Sequence, residues 1–259
     1  MTQSPTQPPA GAPVIVLYSM GICSAYIACR LQDECQRPVC VFNDTGQEDA
    51  DTYRFGREVA ARWALNVVEA SAGETLFEWF RRNKMIPARQ YPACSIALKI
   101  KPTQEFLTNF PGPARVAYGY DVDEPERMER TLGRWAFPHL TPYAPLQEWG
   151  ITKQQCFGYF AQHGIKPPRV YRHTQHANCM PCKNWGEKDW QVARHFYPEV
   201  YEESRDFEEE TGLRFMQDGP RLIDLPVLQE APTRKGRRAL AGDSPAFSFD
   251  AGCDACRRD

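Results

Sequence analysis

Two Cys-x-x-Cys pairs, Cys179-Met180-Pro181-Cys182 and Cys253-Asp254-Ala255-Cys256, put four thiols at chelating spacing. Thiolates spaced in this way bind zinc or iron–sulfur clusters, or cycle as dithiols. Cys94 opens a predicted helix, where the helix dipole favours thiolate over thiol and predicts a lowered pKa. The chain carries ten cysteines, and its start, Met1 to Pro9, is polar and proline-rich, unlike an export signal. The expectation is a cytoplasmic protein whose thiols stay reduced, not a disulfide framework. Cys29, Cys35, Cys40 and Cys156 fall in or near predicted helices and strands, where a thiol acts as a small hydrophobe. Cys23 stands apart because it lies in a loop with chemistry of its own.

That loop is Ser19-Met20-Gly21-Ile22-Cys23-Ser24. It joins a β-branched run, Val14 to Tyr18, to a helix beginning near Ala25. A loop at the carboxyl end of a strand, opening a helix, offers amide donors and the positive end of the dipole to an anion. Gly21 lets the backbone approach such a group, and Ser19 and Ser24 add hydroxyls. The next strand, Val39 to Phe42, ends in Asn43-Asp44-Thr45-Gly46, with Glu48 beyond it. Its turn formers suit an Asx turn or a contact to the nucleoside side of a ligand.

The elements needed to position these loops alternate along the chain. Helical spacing over 49–65 precedes a strand at 66–70, and a helix at 75–82 precedes another at 95–109. Arg115 to Gly119 predicts a fourth strand. Strand and helix alternating in this way specify an α/β fold with an open, mainly parallel sheet and helices on both faces. The rhythm stops after Thr152, an N-cap residue for a further helix. Residues 185–196 and 199–211 predict helices, the second so acidic that a solvated face is expected. The boundaries read as a flexible tail over 1–12, an α/β domain over 13–150, a helical Cys-x-x-Cys extension over 151–216 and an irregular tail over 217–259.

Composition narrows the class. At 259 residues, with 42% hydrophobic and 25% charged residues, this is an ordinary globular composition. No run approaches the apolar length of a membrane helix, so no membrane partner is expected. A net charge of −2 gives no broad electrostatic footprint for nucleic acid. The basic run Arg234-Lys235-Gly236-Arg237-Arg238 reads as a solvated turn.

Five segments in order resemble the phosphoadenylyl-sulfate (PAPS) reductase family of the PP-loop, adenine-nucleotide alpha-hydrolase-like superfamily. They are Tyr18 to Ser24, Phe42 to Glu48 with Thr52-Tyr53-Arg54-Phe55, Cys94 to Pro102, Gly119 to Arg127, and Gly164 to Tyr171 leading to Asn178-Cys179-x-x-Cys182. The resemblance implies a PP-loop, Rossmann-like fold and an adenine nucleotide substrate, ATP or adenylyl sulfate. Ser19, Gly21, Ser24 and Gly119 would hold its anionic group, and Asp44 and Thr45 its nucleoside. Lys99, Lys101 and Arg127 would neutralise charge, with Cys94, Lys99 and Arg127 catalytic. Cys94, Cys179, Cys182 and Cys256, with Cys253 as the alternative fourth ligand, would hold an iron–sulfur cluster of 4Fe-4S type; zinc on the two pairs is the alternative. His176 is a further candidate ligand.

The implied activity is an oxidoreductase or a sulfurtransferase, served by an electron-donor or sulfur-donor protein, with nucleic acid as one possible acceptor. A catalytically altered, zinc-stapled nucleotide or nucleic-acid binding module is the other reading. Met20 stands where the family has glycine, and Ile22-Cys23 where ATP-using relatives have Lys-Asp. The family's Glu-Cys-Gly-x-His-like terminus is also missing, so fold and nucleotide binding transfer further than the reaction.

Overall fold

A computed structural model of the chain describes residues 11–174 and 176–228. Cys253, Cys256, the Arg234–Arg238 run and most of the two expected tails lie outside the described residues. Five strands form one sheet: β1 (Val14–Leu17), β2 (Val39–Phe42), β3 (Asn66–Glu69), β4 (Ala114–Ala117) and β5 (Leu140–Tyr143). All pair in parallel, in the order β3-β2-β1-β4-β5. The helices are α1 (Ile22–Asp33), α2 (Ala50–Arg62), α3 (Leu76–Asn83), α4 (Ala93–Ser95), α5 (Lys101–Asn109), α6 (Pro125–Gly133), α7 (Pro145–Glu148), α8 (Lys153–Gln162), α9 (Glu187–Phe196) and α10 (Pro198–Thr211).

Alternate side chains of a strand point to opposite faces. In β1, Val14 and Val16 join a core with α1, α2 and α8, while Ile15 joins Val116, Leu140 and Leu107 of α5 on the other face. Burial of both faces explains the unbroken apolar run in β1. A third cluster joins α3, α9 and α10 through Trp79, Phe80, Trp190, Phe207 and Phe215. The chain runs outward from β1 through β2 to β3, then crosses to β4 on the other side of β1. The sheet thus reverses direction between β1 and β4, the place where open α/β sheets bind ligands.

Two sequence expectations are corrected. The sheet has a fifth strand, hidden because Pro142 lies within it. A proline is tolerated there because β5 is an edge strand. The acidic helix α10 is not uniformly solvated. Glu208 is buried, and its two carboxylate oxygens accept the amides of Phe215 and Leu222, both at 2.8 Å. Those amides belong to chain returning past Gly212, and the carboxylate satisfies them where no secondary structure does.

Candidate active site

At the reversal point a cavity of about 300 Å³ opens at the carboxyl ends of β1 and β4. Ser19, Gly21, Cys23 and Ser24 line one side, and Tyr118, Gly119, Tyr120, Glu124 and Arg127 line the other. Lys153 of α8, with Tyr171, His176 and Asn178, closes it. A Cβ at Gly119 would stand 3.4 Å from the Ser24 amide nitrogen, in van der Waals contact, so the end of β4 runs directly against the first turn of α1.

The loop is held by its own side chains. Ser19 donates its amide to the Ser24 hydroxyl at 3.1 Å, and the two hydroxyls bond each other at 3.1 Å. Met20 has a left-handed backbone, φ 55°, and packs its side chain against Gly56 of α2. A Cβ on Gly56 would meet the Met20 Cγ at 2.3 Å. The departure from the family's glycine is thus matched by a glycine opposite.

One amide of the α1 terminus, that of Ile22, is already engaged. Its N–H donates to the Tyr171 hydroxyl at 2.9 Å, and the Ala177 amide reaches the same oxygen. Burial raises the Tyr171 pKa, so the hydroxyl stays neutral.

Charge in the cavity comes from Arg127, Lys153 and Glu124, with His176 beside them. Arg127 donates to Glu124 at 2.6 Å and stacks over the Tyr120 ring at 4.5 Å. Burial opposes ionisation of Glu124, but Arg127 and His176 outweigh it and hold its pKa below the usual range. Tyr118 and Tyr120 stack on each other at 5.2 Å, giving the wall an aromatic shelf.

A second cluster lies beyond β2. The Thr45 hydroxyl is 3.4 Å from the Cys179 sulfur. Glu48, whose side chain is 4% exposed, accepts from Lys99 Nζ at 3.1 Å. Lys99 sits in a π-helical turn, Ile96–Ile100, between α4 and α5, a distortion that often marks functional positions. Burial would lower the Lys99 pKa, but Cys179 and Glu48 overturn that and raise it. Cys179's own pKa is raised by burial against the pull of Lys99. At neutral pH the sulfur is therefore a thiol, and Lys99 forms its ion pair with Glu48. Cys94 is an electrostatic neighbour of Cys179. The lowered pKa expected of Cys94 is corrected: burial, then Cys179, raises it, outweighing Lys183.

The candidate residues therefore divide. Ser19, Gly21, Ser24, Gly119 and Arg127 meet at the cavity, while Thr45, Cys94, Lys99 and Cys179 gather beside it. Asp44 does neither. It closes an Asx turn on the Gly46 amide at 2.8 Å and accepts from Tyr53 at 2.5 Å. Lys101 is exposed on α5.

Among the described residues, no three or more His, Cys, Asp or Glu side chains converge as a metal site. Lys99, Glu48 and Thr45 surround the Cys179 sulfur where further thiolates would be needed, and His176 faces the cavity. The described residues do not fit the expected Cys94–Cys179–Cys182 set, and the tail cysteines lie outside them. Sequence reasoning missed Tyr118, Lys153 and the capping role of Tyr171. A lone lysine at a helix start and a tyrosine ending a proline-rich segment carry no local signature.

The family model for the phosphoadenosine phosphosulfate reductase domain matches residues 13–191. The chain belongs to this family. The matched segment holds the whole sheet and every residue lining the cavity. Among solved structures, phosphoadenylyl-sulfate (PAPS) reductase from Candida auris, in its phosphate complex, is similar at 15% identity with a TM-score of 0.44. That match covers 61% of this chain and 75% of the other. Among curated proteins none matches. No described helix is long and apolar enough to cross a membrane.

Proposed function

We propose that this PAPS reductase-family chain is an oxidoreductase that binds an adenylyl sulfate, or its 3′-phosphorylated form, in the cavity and reduces the sulfonyl group to sulfite. The carrying observation is the convergence of the Ser19–Ser24 loop with Arg127 and Lys153 at the sheet's reversal point. Two cations and a set of short donors suit phosphate and sulfate oxygens. The Tyr118–Tyr120 shelf suits a flat base, since aromatic rings stack at such distances. Ile22 and Cys23 replace the Lys-Asp of ATP-splitting relatives, which favours a ligand needing no magnesium-assisted cleavage. Free thiols supply the reducing chemistry in a reducing, cytoplasmic setting, with an external dithiol protein as electron donor.

The test is anaerobic calorimetry with ATP, adenylyl sulfate and its 3′-phosphorylated form, paired with sulfite detection in excess dithiothreitol. Binding of a sulfonucleotide with release of sulfite is expected. Turnover of ATP to pyrophosphate, with no sulfite from either sulfonucleotide, would replace this reading with the sulfurtransferase one, in which nucleic acid is a candidate acceptor. Binding with no turnover of any of the three would leave a nucleotide-binding module.

A further inference from the structure

A carboxylate repels anions, so Glu124, which lines a cavity otherwise suited to them, calls for a reason. It is the N-cap residue of α6, where helix amides and dipole would otherwise draw a ligand phosphate. Its side chain makes no capping bond there. Instead Oε1 accepts from Arg127 at 2.6 Å, with the Glu124 side chain 18% exposed. Despite burial, Arg127 and His176 keep it ionised. Oε2 accepts a long bond from the Asp121 amide at 3.4 Å, which leaves it acceptor capacity for a ligand hydroxyl. Glu124 shares its wall with Tyr118 and Tyr120, opposite the Ser19–Ser24 loop. A nucleotide with its anhydride at the loop and its base on the tyrosine shelf runs its ribose along that wall.

We propose that Glu124 is a specificity-determining residue, which accepts the ribose hydroxyls and selects adenylyl sulfate over its 3′-phosphorylated form. The inference rests on the sulfonucleotide reading above. An acidic side chain facing a ribose reads the free diol by accepting its O–H groups. A 3′-phosphate removes one of those donors and adds about 1.5 to 2 negative charges at neutral pH. Among the described residues lining the cavity, no lysine or arginine besides Arg127 and Lys153 stands ready to meet that charge. Arg127 is already engaged by Glu124 and by the Tyr120 ring, 4.5 Å away. Lys153 is then the cation left for the anhydride oxygens. At close range the carboxylate repels the extra phosphate, and an unfavourable charge of this kind is how a site rejects a near relative of its ligand.

The experiment titrates the full chain, by calorimetry, with adenosine 5′-monophosphate and adenosine 3′,5′-bisphosphate. These carry the ribose difference without the reactive sulfonyl group. The monophosphate should bind at least about tenfold tighter, the scale of one lost hydrogen bond to a charged group. Glu124→Gln removes the charge and keeps the shape, so the ratio of the two affinities should shrink toward unity. Equal binding by the wild type, or preference for the bisphosphate, overturns the selection while leaving the functional reading intact. A ratio that Glu124→Gln leaves unchanged does the same. Should the variant fail to fold, 2′-deoxy and 3′-deoxyadenosine monophosphates decide the matter on the wild type. At least one should bind about tenfold more weakly than the parent nucleotide, and three equal affinities overturn the reading of the ribose by Glu124. If neither the monophosphate nor the bisphosphate binds, the adenine-nucleotide reading itself fails, and the selection falls with it.

Discussion

The Tyr171 hydroxyl accepts the Ile22 amide at 2.9 Å, so a side chain distant in sequence occupies one donor of the α1 terminus. The same oxygen lies 2.8 Å from where a Cβ on Gly21 would stand. Tyr171→Phe removes the acceptor and leaves a buried amide unpaired, at a cost of about 1–3 kcal/mol. It also returns that donor to the cavity. We expect a lower urea midpoint together with tighter binding of inorganic phosphate. A drop in stability with phosphate affinity unchanged would show that the Ile22 amide does not face the anion's position.

Met20 and Gly56 form a matched pair, and their coupling is measurable. Alanine at 56 would place a Cβ 2.5 Å from the Met20 sulfur. Overpacking of that kind costs about 1–3 kcal/mol, against a gain of roughly 1 kcal/mol from replacing a mid-helix glycine. Gly56→Ala should therefore destabilise the wild type. In a Met20→Gly background the obstruction is gone and only the helix gain remains, so the same substitution should stabilise. Urea melts of the four proteins in the cycle decide it, and an equal effect in both backgrounds would refute the coupling.

The sheet was legible because burial on both faces writes continuous apolar runs, as at Val14 to Leu17. Strand β5 was not, since Pro142 mimics a break that only an edge position tolerates. The Ser19–Ser24 loop was legible from its place between strand and helix. Lys153 and Tyr171 were not, because they reach the cavity through tertiary packing of α8 and the segment after it. Cys94 shows the same limit in electrostatics. A helix start predicts a lowered thiol pKa, but burial beside Cys179 reverses the sign.

Lys99 and Glu48 test the second cluster. Lys99→Met leaves the Glu48 carboxylate, 4% exposed, without its cation. Stranding one member of a wholly buried pair costs about 3–5 kcal/mol, but the Lys99 side chain is 35% exposed, so water compensates in part. A loss of about 2 kcal/mol is expected. The double variant Lys99→Met, Glu48→Gln should recover part of it, because no charge is then left unpaired. Equal stability of single and double variants in urea would show that Glu48 finds another partner.

His173 links stability to acid. It is 8% exposed and stacks on Phe196 at 4.0 Å. Burial, then Arg172, His195 and Arg169, lowers its pKa to about 4 from an ordinary 6.5. Between these values the unfolded chain binds a proton that the folded chain refuses, so stability falls as pH falls. The contribution is fully present above pH 6.5 and is lost down to about pH 4, amounting to about 3 kcal/mol over the window. His173→Gln removes the titrating ring and should flatten that part of the pH profile, even if it lowers stability at neutral pH through lost stacking. Chemical denaturation from pH 7 to pH 4 separates the two effects. A variant whose stability fell as steeply as the wild type's would assign the acid sensitivity to other groups.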